Sequence, residues 1–154
     1  VIQGSLGDCY FLSCITALTE YPKLIQEKFR TNFFNQIGYY EIIYFIDGEW
    51  QIVFVDDSFP YDPRKKNFAF ATPNNQELWA MLLEKSWAKI NGGYSNIVGG
   101  IIRDPISALT GFPTEYLHHN QFENDEIYNK IEEGDKTGTI MSSASKKGSS
   151  LEKP

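Results

Sequence analysis

The residues best suited to chemistry stand at the start of the chain, in "QGSLGDCYFLSC" at positions 3–14. Cys9 follows Gly4, Gly7 and Asp8 and opens an apolar segment. In that segment Phe11, Leu12, Ile15 and Leu18 recur at i, i+1, i+4 and i+7, the spacing of a helix face. The glycines make a turn, and Asp8 is of a type that caps a helix N-terminus. Cys9 then falls in the first helical turn, where unpaired N–H groups and the helix dipole favour an anion and so a thiolate. A cysteine that attacks a carbonyl also needs donors aimed at the developing oxyanion. The side-chain amide of Gln3, across the glycine turn, and the N–H of Cys9 itself can supply two. The plainer alternative for Cys9 is a buried helix thiol, which requires none of this approach. Cys14, about 140° around the helix from Cys9, reads as such a core thiol. Five residues of helix separate the two by roughly 7.5 Å along the axis, beyond the ~7 Å Cα separation that a disulfide spans. Two free thiols are expected, which suits a reducing compartment.

The chain that must position these groups has 154 residues, 42% hydrophobic and 15% aromatic, enough for one ordinary domain or two small lobes with a packed core. A formal charge of −6 and a pI near 4.9 argue against nucleic acid or an anionic membrane as partner. The only basic runs are "RKK" at 64–66 and "SKK" at 145–147. No stretch approaches the ~18 consecutive apolar residues of a membrane span, so no integral membrane segment is expected. The helix after Cys9 should stop near Tyr21-Pro22. "YYEIIYFI" at 39–46, "DGE" at 47–49 and the returning "WQIVFVDD" predict a β-hairpin. "TPNNQELWAMLLEKSWAKINGG" predicts a helix with Asn74 as cap, Glu77 three residues later, and Leu78, Trp79, Leu82, Leu83, Trp87 and Ile90 as its apolar positions. Its stop signal is Asn91-Gly92-Gly93. Past "LTGF" at 109–112 the texture becomes polar, with His118 and His119, a weak helix around 125–133 and a strand at "GTIMSSA". A first domain over 1–110 and a second lobe beginning at 111 and running to 154 are expected. Because a lone strand needs partners that the remaining residues cannot provide, the second lobe reads as cut part-way.

"QGSLGDCYFLSCITALT" resembles the active-site segment of the calpain family of papain-like cysteine proteases. "VDDSFP", "ELWAMLLEKSWAKINGGYSNIVGG" and "ALTGF" resemble, in order and approximate spacing, later signatures of that family's first protease-core subdomain. The likeness is strong from Gln3 to about Gly111 and thin beyond. It implies an α+β, papain-like core: a mostly helical nucleophile lobe with a β-hairpin, then the start of a β-rich second lobe. It also implies a calcium-dependent, cytoplasmic endopeptidase that cleaves polypeptides through a thioester, within a parent chain carrying further domains. By the same resemblance Cys9 is the nucleophile and Gln3 the oxyanion donor. Gly99 and Gly100 are backbone contacts for an extended substrate, and Glu77 is a carboxylate of a calcium site. Glu77 reads equally well as a capping-box residue, and one carboxylate is not a calcium site, which takes roughly 6–8 oxygens. Tyr10 stands where the family usually has Trp, and Phe112 replaces the second glycine of a typical "TGG".

A thiol protease needs an imidazole, oriented by a third polar group, to take and return the proton. His118 and His119 lie about 110 residues after Cys9, short of the roughly 130–150 of papain-type enzymes. Their setting, "TEYLHHNQF", resembles no base segment of the family, and they read as surface or lobe-interface residues. The base and its orienting Asn are expected after Pro154, so the chain alone should turn over little or no substrate. Two other readings compete: a Cys-dependent acyl transferase on a related fold, and a non-catalytic calpain-like module.

Overall fold

The apolar spacing after Asp8 does produce a helix. In the computed structural model, which describes residues 2–31, 33–73 and 77–143, α1 spans Cys9–Leu18 and buries Phe11, Leu12, Cys14, Ile15 and Leu18. It ends just short of Pro22, which instead opens the short α2 (Pro22–Gln26), where its fixed φ and missing N–H do no harm. Asp8 stands at the cap position of α1 but makes no side-chain capping bond. Its backbone carbonyl accepts from the N–H of Phe11 and Leu12 at 2.8 and 3.1 Å, while its carboxylate turns into the core, fully buried. The expected capping role is therefore replaced by a buried one.

The hairpin forms where the sequence predicts it, with Glu49, expected in the turn, as the first residue of the second strand. Strands β1 (Tyr39–Ile46) and β2 (Glu49–Asp56) pair antiparallel from Tyr39↔Asp56 to Ile46↔Glu49. The two turn residues, Asp47 and Gly48, both have positive φ, 53° and 84°, as a two-residue turn matching the strand twist requires. Tyr40, Ile42 and Tyr44 alternate onto the buried face. A small ribbon, β3 (Tyr61–Asp62) with β4 (Asn67–Phe68), follows.

Two helices complete the first of the chain's two units, which runs over 1–116. Helix α3 spans Trp79–Ile90 and stops at the Asn91-Gly92-Gly93 signal, with Gly92 at φ 82° and the Gly93 N–H bonded to Ala88 O at 2.7 Å. It begins later than the cap pattern predicts. Asn74 lies outside the described residues, and Glu77 precedes the helix, its carboxylate accepting instead from the Trp79 indole N–H at 3.1 Å. Glu77 is thus no capping-box residue. Helix α4 (Arg103–Thr110), closed by Gly111 at φ 70°, has no counterpart in the sequence reading. α3 packs on β1, β2 and α1, and α4 packs on β1 and α1, so the unit mixes helix and antiparallel sheet as an α+β fold does.

Trp87 joins these layers. Its ring stacks on Phe11 of α1 at 5.6 Å and 9° and leans on Tyr44 of β1 at 6.2 Å. The Tyr44 hydroxyl, dry and pushed upward in pKa by burial, bonds Ser86 Oγ at 2.8 Å and donates to Leu83 O at 3.2 Å. On the rim, Lys85 donates to Asp56 Oδ1 at 2.7 Å and to Ser58 O at 2.6 Å. That bond draws the Asp56 carboxyl down to about 2.

The second unit covers 117–154. Its helix α5 (Asn124–Thr137) is longer than the expected 125–133. It has Asp125 and Glu126 in its first turn, Lys136 in its last, and Gly138 at φ 72° as terminator, charges that complement the helix dipole. The expected strand at "GTIMSSA" is absent over 139–143, and Ala144 lies outside the described residues. A strand holds only when a partner takes its N–H and C=O groups, and no other strand occurs among this unit's described residues. The expected start of a β-rich lobe is therefore helical as far as it is described.

Trp87→Ala should destabilise the first unit by about 3–5 kcal/mol, the cost of emptying a buried aromatic site. Chemical denaturation followed by circular dichroism measures it. A loss under 1 kcal/mol would mean that α1 and α3 are held together by something else.

Candidate active site

Cys9 is the first residue of α1 and its side chain is exposed. Cys14, on the opposite side, is fully buried and its thiol is pushed up to about 12 by desolvation. The two are free thiols of different character.

The segment carrying Gln3 is fixed from below. Ile2 bridges antiparallel to Thr72, and the N–H and hydroxyl of Ser5 both donate to Ala69 O, at 3.2 and 2.6 Å. Gly4 lies against the Phe70 carbonyl so closely that any Cβ would overlap it, so glycine is required there for contact rather than for its φ. The Gln3 amide Nε2 donates to Leu6 O at 2.9 Å. An amide nitrogen carries two hydrogens, so one bond fixes the side chain while the second hydrogen remains for another acceptor. Gln3 and Cys9, with Leu12, Ser13, Thr16 and Ala17, line one open cleft of about 390 Å³. An exposed thiol and an amide donor thus share one depression.

Gly99 and Gly100 meet the turn at Gly7 and Tyr10 and do not line that cleft. The Gly99 N–H donates to Gly7 O at 2.8 Å, and Gly100 lies on the Tyr10 ring with no room for a side chain. The Tyr10 hydroxyl accepts from the Trp87 indole N–H at 2.9 Å, so the second residue of α1 braces this segment against α3. Tyr10 also titrates higher than usual, chiefly through burial.

Glu77 stands apart from this group, exposed on the segment before α3. Among the described residues no group of three or more His, Cys, Asp or Glu side chains could hold a metal ion. One hard carboxylate suits calcium in kind but supplies only a fraction of the oxygens that it takes. His118 and His119 belong to the second unit, where the N–H of Gln121 donates to His118 O at 2.9 Å and closes a 3₁₀ turn at His119–Gln121. The first unit contains no histidine.

One participant escaped the sequence reading. Glu84, in the middle of α3, is 2% exposed and accepts the Ala71 N–H on both carboxylate oxygens, at 3.2 and 3.1 Å. Its carboxyl meets that of Asp8. Burial raises both groups above the ordinary carboxylate range, Glu84 to about 9, and the bond between them lowers Asp8 while raising Glu84 further. Taken as bare anions, the Asp8 oxygens have no donor. A proton on Glu84 provides one, and the N-terminus of α1 favours the negative charge on Asp8. The signal for Glu84 was its place on α3: four residues after Ala80 and three before Trp87, both buried, it is a carboxylate on the apolar stripe.

The family model described as calpain family cysteine protease matches residues 1–153. The chain belongs to the calpain family of cysteine proteases. It is 45% identical over 112 residues to the calpain-type cysteine protease ADL1 of Oryza sativa subsp. japonica, a match covering 72% of this chain and 5% of that protein. It is 34% identical over 144 residues to the calpain-1 catalytic subunit of Bos taurus, covering 92% of this chain and 20% of that protein. Calpain-5 of Caenorhabditis elegans is 36% identical over 135 residues, 82% of this chain and 20% of that protein. The chain therefore spans between a twentieth and a fifth of the length of these calpain relatives, which are larger proteins.

Iodoacetamide near neutral pH is expected to alkylate Cys9 at least tenfold faster than Cys14, because Cys9 is exposed whereas burial closes off the Cys14 thiol and pushes it up to about 12. Peptide mass mapping at partial modification reads the ratio. Equal, slow labelling of both thiols would show that Cys9 is not presented as a nucleophile.

Proposed function

We propose that this calpain-family chain carries the nucleophile half of a cysteine endopeptidase centre. The observation that supports the reading best is the shared cleft: an exposed Cys9 at the start of α1 beside the Gln3 amide. In the proposed reaction the Cys9 thiolate attacks a peptide carbonyl carbon. The oxyanion is met by a Gln3 N–H and by the N–H of Cys9, and the C–N bond breaks as a proton reaches the departing amine. Water then hydrolyses the thioester and restores the thiol. Gly99 and Gly100, held on the Gly7 turn, offer backbone groups to an extended peptide. Polypeptides are accordingly the substrate class, and cytoplasm the compartment that suits two free thiols.

The unit that carries Cys9 contains no imidazole, so the reading assigns the proton-transfer base to a part of the protein other than this unit. By its setting, neither His118 nor His119 fills that role. The chain alone should therefore hydrolyse a fluorogenic peptide at least about 10³-fold more slowly than the bovine calpain-1 catalytic subunit assayed beside it, the order of loss when a catalytic triad is incomplete. It should still be trapped at Cys9 by a peptidyl chloromethyl ketone, and Cys9→Ala should abolish the trapping. A turnover rate comparable to the intact relative would make His118 or His119 the base. Failure to trap Cys9 would favour the non-catalytic module.

Calcium dependence belongs to the same proposal, with Glu77 as one ligand. Since Glu77 supplies a fraction of the oxygens that calcium takes, about 1 mM calcium should leave the Tm of the chain alone unchanged. A rise of several degrees that Glu77→Gln removes would mean that the site is already complete within these residues.

A further inference from the structure

We propose that the buried carboxyls of Asp8 and Glu84 share a single proton, and that this bond is a positioning device holding the Cys9 thiol and the Gln3 amide against one another. The inference rests on reading Cys9 as the nucleophile, but it concerns residues to which that reading gives no role.

The geometry closes a circuit. Asp8 is joined to Cys9 by one peptide bond, and its carboxylate is fully buried against Glu84 of α3. Glu84 in turn takes the N–H of Ala71 on both oxygens. Ala71 lies in the stretch 69–72, whose Ala69 and Thr72 hold Ser5 and Ile2 on either side of Gln3. From the oxyanion donor to the nucleophile, every link is therefore a peptide bond or a hydrogen bond, and the Asp8–Glu84 contact is the one link that needs a proton to exist. Two ionised carboxylates in a dry site repel, and neither can donate to the other.

Among the described residues, no cation acts on the pair to replace that proton. Tyr94, in the 3₁₀ turn Tyr94–Ile97, and Tyr10 on α1 both have hydroxyls raised by burial and by these acids. Asp56 on β2 acts on Tyr94 and Asp104 on α4 acts on Tyr10, each as a further anion beside these hydroxyls. Lys85, the next residue along α3, is committed to Asp56 and Ser58. In the unfolded chain the two carboxyls release their protons in the ordinary range near 4, whereas the folded pair retains one well above it. Folding therefore takes up a proton. The pair's contribution to stability is fully present below the ordinary range and is lost as pH rises through the raised value of the pair.

Two readouts on the 154-residue chain test this. Infrared spectroscopy at neutral pH should show a protonated-carboxyl band that Glu84→Gln removes and Glu77→Gln leaves in place. The rate of Cys9 alkylation by iodoacetamide against pH should show two inflections in the unaltered chain, one from the thiol and one where the pair gives up its proton. Glu84→Gln, whose amide donates to Asp8 at every pH, should show the thiol inflection alone, and its Tm should no longer fall across the alkaline side of neutrality. If Glu84→Gln does not fold, Asp8→Asn makes the same test, since its amide donates to Glu84. Absence of the acid band in the unaltered chain overturns the shared proton. A band with identical alkylation profiles in both proteins overturns the positioning role. Labelling of Cys9 no faster than Cys14 refutes the nucleophile instead, and the infrared result then judges the shared proton by itself.

Discussion

The first unit depends on one aromatic side chain meeting three elements at once. Trp87 stacks flat on Phe11, leans on Tyr44 and donates its indole N–H to the Tyr10 hydroxyl. The first contact fixes how far α1 stands from α3, the second ties α3 to the hairpin, and the third fixes the rotation of α1 about its axis. Rotation matters most for chemistry. Tyr10 adjoins Cys9, so a helix turned to seat Tyr10 on Trp87 presents Cys9 outward and Cys14 inward. The difference between an exposed thiol and one pushed up to about 12 follows from that single choice of face.

The turn before α1 is ruled by close approach. Gly4 sits on the Phe70 carbonyl and Gly100 on the Tyr10 ring, each without space for a Cβ. The backbones that carry Gln3 and Gly100 thereby come nearer to their neighbours than side chains would allow, and of the two only Gln3 lines the cleft with Cys9. The Tyr10 hydroxyl completes a bond to α3 while its ring supports Gly100.

Much of this was legible from spacing. The aromatic and β-branched runs on either side of "DGE" marked the hairpin, although Glu49 joins the second strand rather than the turn, and the run Phe11, Leu12, Ile15, Leu18 gave α1 its buried face. Asn91-Gly92-Gly93 marked the end of α3. These are local signals, in which each residue's role is decided by its neighbours in sequence. The start of α3 was misread because Glu77 fits a capping box on paper, whereas its carboxylate found the Trp79 indole. Asp8 was misread for a related reason: a carboxylate before a helix usually caps it, but here a second carboxyl 76 residues away in the chain offered a different partner. The strand expected at 138–144 had the right composition, yet strand formation depends on a partner that composition does not supply. The cleft itself was half visible: the sequence pointed to Gln3 and Cys9 as a pair, while the stretch 69–72 that positions Gln3 carries no pattern of its own.

Asp8 and Glu84 raise the question of why a small unit would bury two acids. Stability does not explain it, since ordinary domains are held by only about 5–15 kcal/mol, and a buried polar pair is often no better than apolar residues of the same volume. What apolar residues cannot provide is direction. A leucine at 84 would fill space beside Ala80 and Trp87 but would leave the Ala71 N–H without an acceptor and the Asp8 carboxylate without a donor, and each unmet buried group costs about 1–3 kcal/mol. The acid at 84 meets both needs with one side chain, accepting from Ala71 and donating to Asp8, which a protonated carboxyl can do and an ionised one cannot. Burial chiefly raises its pKa and the bond to Asp8 raises it further, while the Ala71 N–H draws it down; the two groups it serves lie in the stretch that braces Gln3 and in the residue before Cys9.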